Sequence, residues 1–100
     1  MSTFNLSIDN NEAALTGELT RQTIAAIDPK LVKKLLAQER IVLSLKDISK
    51  IDTAGLAWLF ELLEKAQTQQ CALTFSALPS KLNKLITLSG VEGFLPVASE

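Results

Sequence analysis

Ile51-Asp52-Thr53-Ala54-Gly55-Leu56-Ala57-Trp58-Leu59-Phe60-Glu61 joins an extended apolar run to a helical pattern. Upstream, Ile41-Val42-Leu43-Ser44-Leu45 is nearly continuous, apolar and rich in β-branched residues. That composition suits a central strand covered on both faces. Lys46 to Lys50 reads as a connector whose Ile48 points inward. Downstream, a helical repeat of about 100° per residue places Gly55, Leu56, Leu59, Leu62, Leu63 and Ala66 on one broad face. Glu61, Glu64 and Lys65 mark the opposite face, and the pattern ends near Gln69. Asp52, Thr53 and Gly55 occupy the corner, and either Asp52 or Thr53 serves as the helix cap.

Ala54, Ala57 and Trp58 lie on or beside the polar face of this helix. Its first two turns are therefore apolar nearly all round, a pattern that normally means cover on every side. Single exposed alanines need no explanation. Trp58 does, because a large aromatic beside a helix start resembles an interface anchor. The competing reading folds Trp58 over its own N-terminal loops. Thr53 places a hydroxyl at the helix N-terminus, where the dipole and free N–H groups would favour a phosphate.

Working outward, Phe4, Leu6 and Ile8 alternate with Asn5 and Ser7, the period of a half-buried strand. Asp9-Asn10-Asn11 is turn chemistry, and Glu12 to Thr16 forms a second strand ending at Gly17. The two predict a hairpin. Glu18 to Ile27 has no firm start signal. Asp28-Pro29 then opens a helix, with Leu31, Val32, Leu35 and Leu36 on its apolar side and an end near Glu39. Ala72 to Ser76 is another strand. A last helix, Ser80 to Ser89, presents Leu82, Leu85, Ile86 and Leu88 and stops at Gly90. Phe94, Leu95 and Val97 form a short apolar tail expected to pack on the sheet. The strand–helix–strand order implies parallel pairing with right-handed crossovers. The expected class is α/β: a small mixed sheet of four to five strands with three to four helices, as one domain over residues 1–100.

Bulk properties narrow the function. The chain has 100 residues, 47% of them hydrophobic, and a formal net charge of -1. That apolar content is ordinary for a globular protein and argues against disorder. The scattered cations give no basic footprint for nucleic acid. The sequence has no His and a single Cys, Cys71, so the commonest general base and any internal disulfide are both missing. Cys71 reads as a small buried residue beside a strand, in a reducing cytoplasm. The longest apolar run, Ala54 to Phe60, is far too short to span a bilayer. No metal-ligand cluster and no Gly-rich phosphate loop is visible, so neither cofactor nor metal is expected and catalysis is disfavoured.

The pieces together resemble the STAS family, the fold of anti-sigma-factor antagonists. Ala14-Leu15-Thr16-Gly17-Glu18-Leu19 is similar to the family's second strand and its exit. Ile41–Leu45 with Ile48, Ile51 and Asp52-Thr53-Ala54-Gly55-Leu56 is similar to its central strand and signature loop. Leu82 to Val91 is similar to its final helix. Antagonists carry Asp-Ser-Ser-Gly at the loop, and the second Ser is phosphorylated. Ala54 stands at that position, without a hydroxyl. Ser44 stands where antagonists have an Asp near the strand end, and Thr20 where Asp often follows Gly-Glu-Leu.

Asp-Thr-small-Gly-Leu-Ala instead resembles the stand-alone STAS subunit (MlaB-type) of the Mla phospholipid-transport ABC complex. The resemblance implies a non-catalytic adaptor. Its partner would be the cytoplasmic ATPase of a transporter that also contains permease and substrate-binding subunits and serves outer-membrane lipid asymmetry. It would sit in the cytoplasm, peripheral to the inner membrane through that partner. Thr53, Ala54, Ala57, Trp58 and Glu61 would make the contact, with Asp52, Thr53 and Gly55 as cap and signature loop. The alternative it implies is a regulatory module that binds a serine kinase or anti-sigma factor.

Overall fold

A computed structural model describes residues 4–97. The elements run β1 (Phe4–Asp9), β2 (Glu12–Leu19), α1 (Arg21–Ile24), α2 (Pro29–Leu35), β3 (Arg40–Ile51), α3 (Thr53–Thr68), β4 (Ala72–Ser76) and α4 (Ser80–Ser89). One mixed sheet has the order β1-β2-β3-β4. β1 and β2 are antiparallel, while β3 is parallel to both β2 and β4. This is the expected α/β arrangement. The β1–β2 turn places Asn10 at φ 57°, a left-handed conformation that Asn tolerates.

Two right-handed crossovers that advance in one direction across a sheet put their helices on the same face. The burial alternation agrees. Leu6, Leu15, Ile41, Leu43, Leu45, Leu73 and Phe75 are buried on one face. Ala14, Thr16, Val42, Ser44, Thr74 and Ser76, which alternate with them, are half-buried. Leu35, Leu36, Leu59, Leu62 and Leu82 complete the core from the helices. β3 is thus covered by helices on one face only, which corrects the two-sided cover expected from its composition. Small and polar residues on β2 and β4 line the other face.

Lys46 to Lys50 is strand rather than connector, because β3 continues to pair with β2 as far as Leu19–Ile51. The β2–β3 register shifts twice, between Ala14 and Thr16 and between Gly17 and Glu18. Irregularities of this kind break the period-two alternation. Burial accordingly jumps from Leu45 to Ile48, which does point inward as expected. β2 likewise runs past Gly17 to Leu19.

Other boundaries also move. The ambiguous Glu18–Ile27 segment contains the end of β2 and the short helix α1. α2 closes at Leu36 rather than near Glu39, where the chain turns back toward β3. Asp28 caps α2 through the Lys30 N–H, with Pro29 in the first turn, as the sequence predicts. Gly90 ends α4 as expected. On α4, Leu82 and Ile86 are buried and Leu85 is half-buried, but Leu88 is 85% exposed. At about 100° per residue, Leu88 lies roughly 120° round the helix from Leu82, on the solvent side. Only Leu95 of the tail is buried; Phe94 and Val97 are exposed. Val97 nevertheless bridges Phe75 in parallel, and the Phe75 N–H donates to the Pro96 carbonyl at 2.9 Å.

Cys71 is buried, and burial pushes its thiol pKa up. That is the environment of a small apolar packing residue rather than an activated nucleophile.

Candidate functional site

The corner between β3 and α3 is built on two backbone contacts and one carboxylate. Asp52, not Thr53, is the N-cap of α3. Its Oδ1 accepts the Gly55 N–H at 2.9 Å. Its Oδ2 accepts the Arg21 N–H at 3.0 Å, from the first residue of α1. A single side chain therefore ties the starts of two helices, through residues 31 positions apart in sequence. Desolvation pushes the Asp52 carboxyl pKa up, but N–H donors from Arg21, Gly55 and Ala54 outweigh it and hold the group below its ordinary value. Hydrogen bonds to the charged form act in that direction.

Gly55 is required by space. A Cβ here would lie 2.2 Å from the Leu19 carbonyl oxygen and 2.9 Å from Ile51 Cγ1. The first turn of α3 thus rests directly on the end of β2. The same Leu19 oxygen accepts the Asp52 N–H at 3.4 Å. Next to it, the Thr20 N–H donates to Thr23 Oγ1 at 2.9 Å, and that hydroxyl donates to the Glu18 carbonyl at 2.8 Å. Thr20 is buried, and its Oγ1 has no hydrogen-bond partner among the described residues.

On this base α3 presents a stripe. Thr53, Ala57 and Glu61 are exposed, at the i, i+4 and i+8 positions of one helix face. Ala54 and Trp58 are half-buried beside them. Gly55, Leu56, Leu59, Leu62 and Ala66 are buried beneath, while Leu63 is only half-buried. Trp58 has an intramolecular neighbour: its ring meets Phe4 of β1 edge-on, with centroids 6.3 Å apart and planes at 81°. The five contact residues named from sequence therefore share one end of one helix. Sequence reasoning missed the Arg21 contact with Asp52 and the dependence of Gly55 on the Leu19 carbonyl. The only sequence signal for the latter was a Gly inside a helix, which costs stability unless something approaches closely.

Ser44 is far from this corner. It lies on the half-buried sheet face, seven residues before the end of β3, or roughly 23 Å along the strand at its usual rise. No group of three or more His, Cys, Asp or Glu among the described residues is placed to hold a metal. No described helix is long and apolar enough to cross a membrane.

A helix seated by a capping Asp and a space-limited Gly, at the end of the central strand of a mixed sheet, is the arrangement expected of a STAS domain. The chain belongs to the family described as "Mlab, STAS domain", whose model matches residues 5–96. No curated protein matches it. Among solved structures, it is similar to the anti-sigma factor antagonist SpoIIAA in its unphosphorylated form. That match has a TM-score of 0.70 at 16% identity and covers 98% of this chain and 90% of the other. An anti-sigma factor antagonist from Mycobacterium paratuberculosis is similar at TM-score 0.73 and 17% identity, over 100% of this chain and 87% of that one. The phosphorylated form of Bacillus SpoIIAA is similar at TM-score 0.66 and 16% identity, over 98% and 93%. At these identities the likeness concerns the fold. STAS domains of this kind are protein-interaction modules.

Proposed function

We propose that this chain is a non-catalytic adaptor that docks on the cytoplasmic ATPase of an ABC phospholipid transporter and supports its assembly and activity. The observation that carries the reading is the exposed Thr53–Ala57–Glu61 stripe, flanked by Ala54 and Trp58 and seated by Asp52 and Gly55. Small side chains let a partner helix or loop approach the α3 backbone closely. Thr53 offers a hydroxyl that makes no hydrogen bond to other described residues. The family's description favours the Mla-type partner over others, which would hold the subunit at the inner membrane through the ATPase alone.

The test is retention of the ATPase by the tagged chain purified from its native membrane. Thr53→Glu is the informative variant, because an acidic residue in the first helical turn suits the dipole and leaves the fold intact. The variant should lose the ATPase while melting like the wild type. Retention equal to the wild type would move the docking surface elsewhere.

The likeness to antagonist structures supports a second reading, a regulatory module for a serine kinase or anti-sigma factor. Ala54 weighs against it, since the usual acceptor hydroxyl is missing. Phosphate on Thr53 in intact-protein mass spectra would favour it.

A further inference from the structure

The two edges of the sheet are treated differently. On β4 the tail closes the edge at its centre, where Pro96 accepts the Phe75 N–H and Val97 bridges Phe75. On β1 the six residues Phe4–Asp9 pair with β2 in an unbroken register. β1 is the other edge of the sheet. Natural edge strands are usually blunted by Lys, Pro or a bulge. β1 has none of the three: its sequence is Phe-Asn-Leu-Ser-Ile-Asp and no register shift interrupts it.

The side chains of β1 are also self-complementary. Phe4, Leu6 and Ile8 lie on the helix-covered face, and Asn5 and Ser7 on the open one. Phe4 and Ile8 pack against the core yet remain half-buried. Antiparallel pairing of two β1 strands about Leu6 keeps every residue on its own face. It sets Leu6 opposite Leu6, Phe4 opposite Ile8 and Asn5 opposite Ser7. No like charges meet among these pairs, and the apolar pairs extend the core across the junction. A two-fold axis perpendicular to the sheet gives this pairing and closes the assembly at two copies.

We propose that the β1 edge is a homodimerisation surface, joining the four-stranded sheets of two copies of this chain into one continuous sheet with all helices on one side. The contact adjoins the α3 stripe through Phe4, whose ring meets Trp58, and its test therefore leaves Phe4, Trp58 and Thr53 unchanged. The purified full chain is measured by light scattering coupled to size exclusion, from low-micromolar to near-millimolar concentration. The expected mass rises to twice the 10.9 kDa of the chain. The double variant Asn5→Lys with Ser7→Lys sets lysines of the two copies across from one another at exposed positions. It should stay at the single-chain mass with an unchanged circular dichroism spectrum. Amide exchange of the wild type supplies a measurement free of mutation, in which the β1 amides should become slower to exchange as concentration rises. A wild type that keeps the single-chain mass throughout overturns the proposal. So does a dimer that survives both lysines, or one whose concentration-dependent protection falls outside β1.

Discussion

Replacing Gly55 with Ala puts a methyl carbon 2.2 Å from the Leu19 carbonyl oxygen and 2.9 Å from Ile51 Cγ1. The carbonyl belongs to backbone at the end of β2 and cannot swing aside, so α3 must lift or the strand must bend. Forcing an extra methylene into a well-packed site costs about 1–3 kcal/mol. So close an approach to a backbone atom, well inside any normal contact, points to the upper end of that range. Opposing it, Ala is the better helix former by about 1 kcal/mol. The net loss is about 2 kcal/mol, and lifting α3 also stretches the Asp52 N–H bond to Leu19, already 3.4 Å. At about 4–8 °C per kcal/mol for a domain of this size, Tm should fall by roughly 10 °C. Thermal and urea unfolding followed by circular dichroism would measure it. A Gly55→Ala variant as stable as the wild type, or more so, would show that α3 does not sit on the Leu19 carbonyl and would undo the account of this corner.

Other expectations follow from the same geometry. Asp52→Ala removes a cap and leaves the Arg21 and Gly55 N–H groups unpaired, at a cost of about 1–2 kcal/mol in urea unfolding. Because the folded pKa of Asp52 is lowered, its carboxylate contributes stability above the ordinary aspartate value, and that contribution is lost as pH falls through the lower folded value. Asp52→Asn should lack this acid-limb component, seen as a shallower loss of Tm below about pH 4. Trp58→Ala breaks the edge-on contact with Phe4, so about 0.5–1.5 kcal/mol of pair energy adds to the lost burial. A binding defect in that variant must be read beside its melting curve. Leu82→Ala should cost about 2–5 kcal/mol in the same unfolding assay. Leu88→Ala, farther along the same helix, should stay within about 0.5 kcal/mol of the wild type.

Where the chain obeyed a single period, the sequence was sufficient. Phe4-Leu6-Ile8, Ile41-Leu43-Leu45 and Leu56-Leu59-Leu62 each turn toward the core as the spacing predicts. Legibility failed where tertiary pairing overrode local pattern. Asp47 and Lys50 look like a loop because the shifted register with β2 removes the alternation that marks a strand. Leu88 and Phe94 look like core because their polarity says nothing about which side of a short helix or tail faces a small sheet. At the candidate site, the sequence left the cap open between Asp52 and Thr53, and the bond from the Gly55 N–H assigns it to Asp52. Its second partner, Arg21, could not be named at all, since the contact depends on where a crossover brings α1. Likewise, Trp58 was conspicuous as an unassigned aromatic, but Phe4 as its neighbour needed the hairpin and α3 to be placed together.

The double use of the Asp52 carboxylate also bears on how fast and how tightly a partner can be captured. A recognition stripe on a free loop would lose conformational entropy on association, and ordering would consume part of the contact energy. Here the first turn of α3 is anchored to β2, β3 and α1 before any encounter. Its ordering cost is met during folding, so association at this stripe is spared the loop-ordering part of the cost of binding, while the loss of rigid-body freedom remains. If the α3 stripe is the docking surface proposed above, a partner meets a rigid target there, and association should run close to the rate of orientation-limited docking, with little change in backbone amide protection beyond the contact itself.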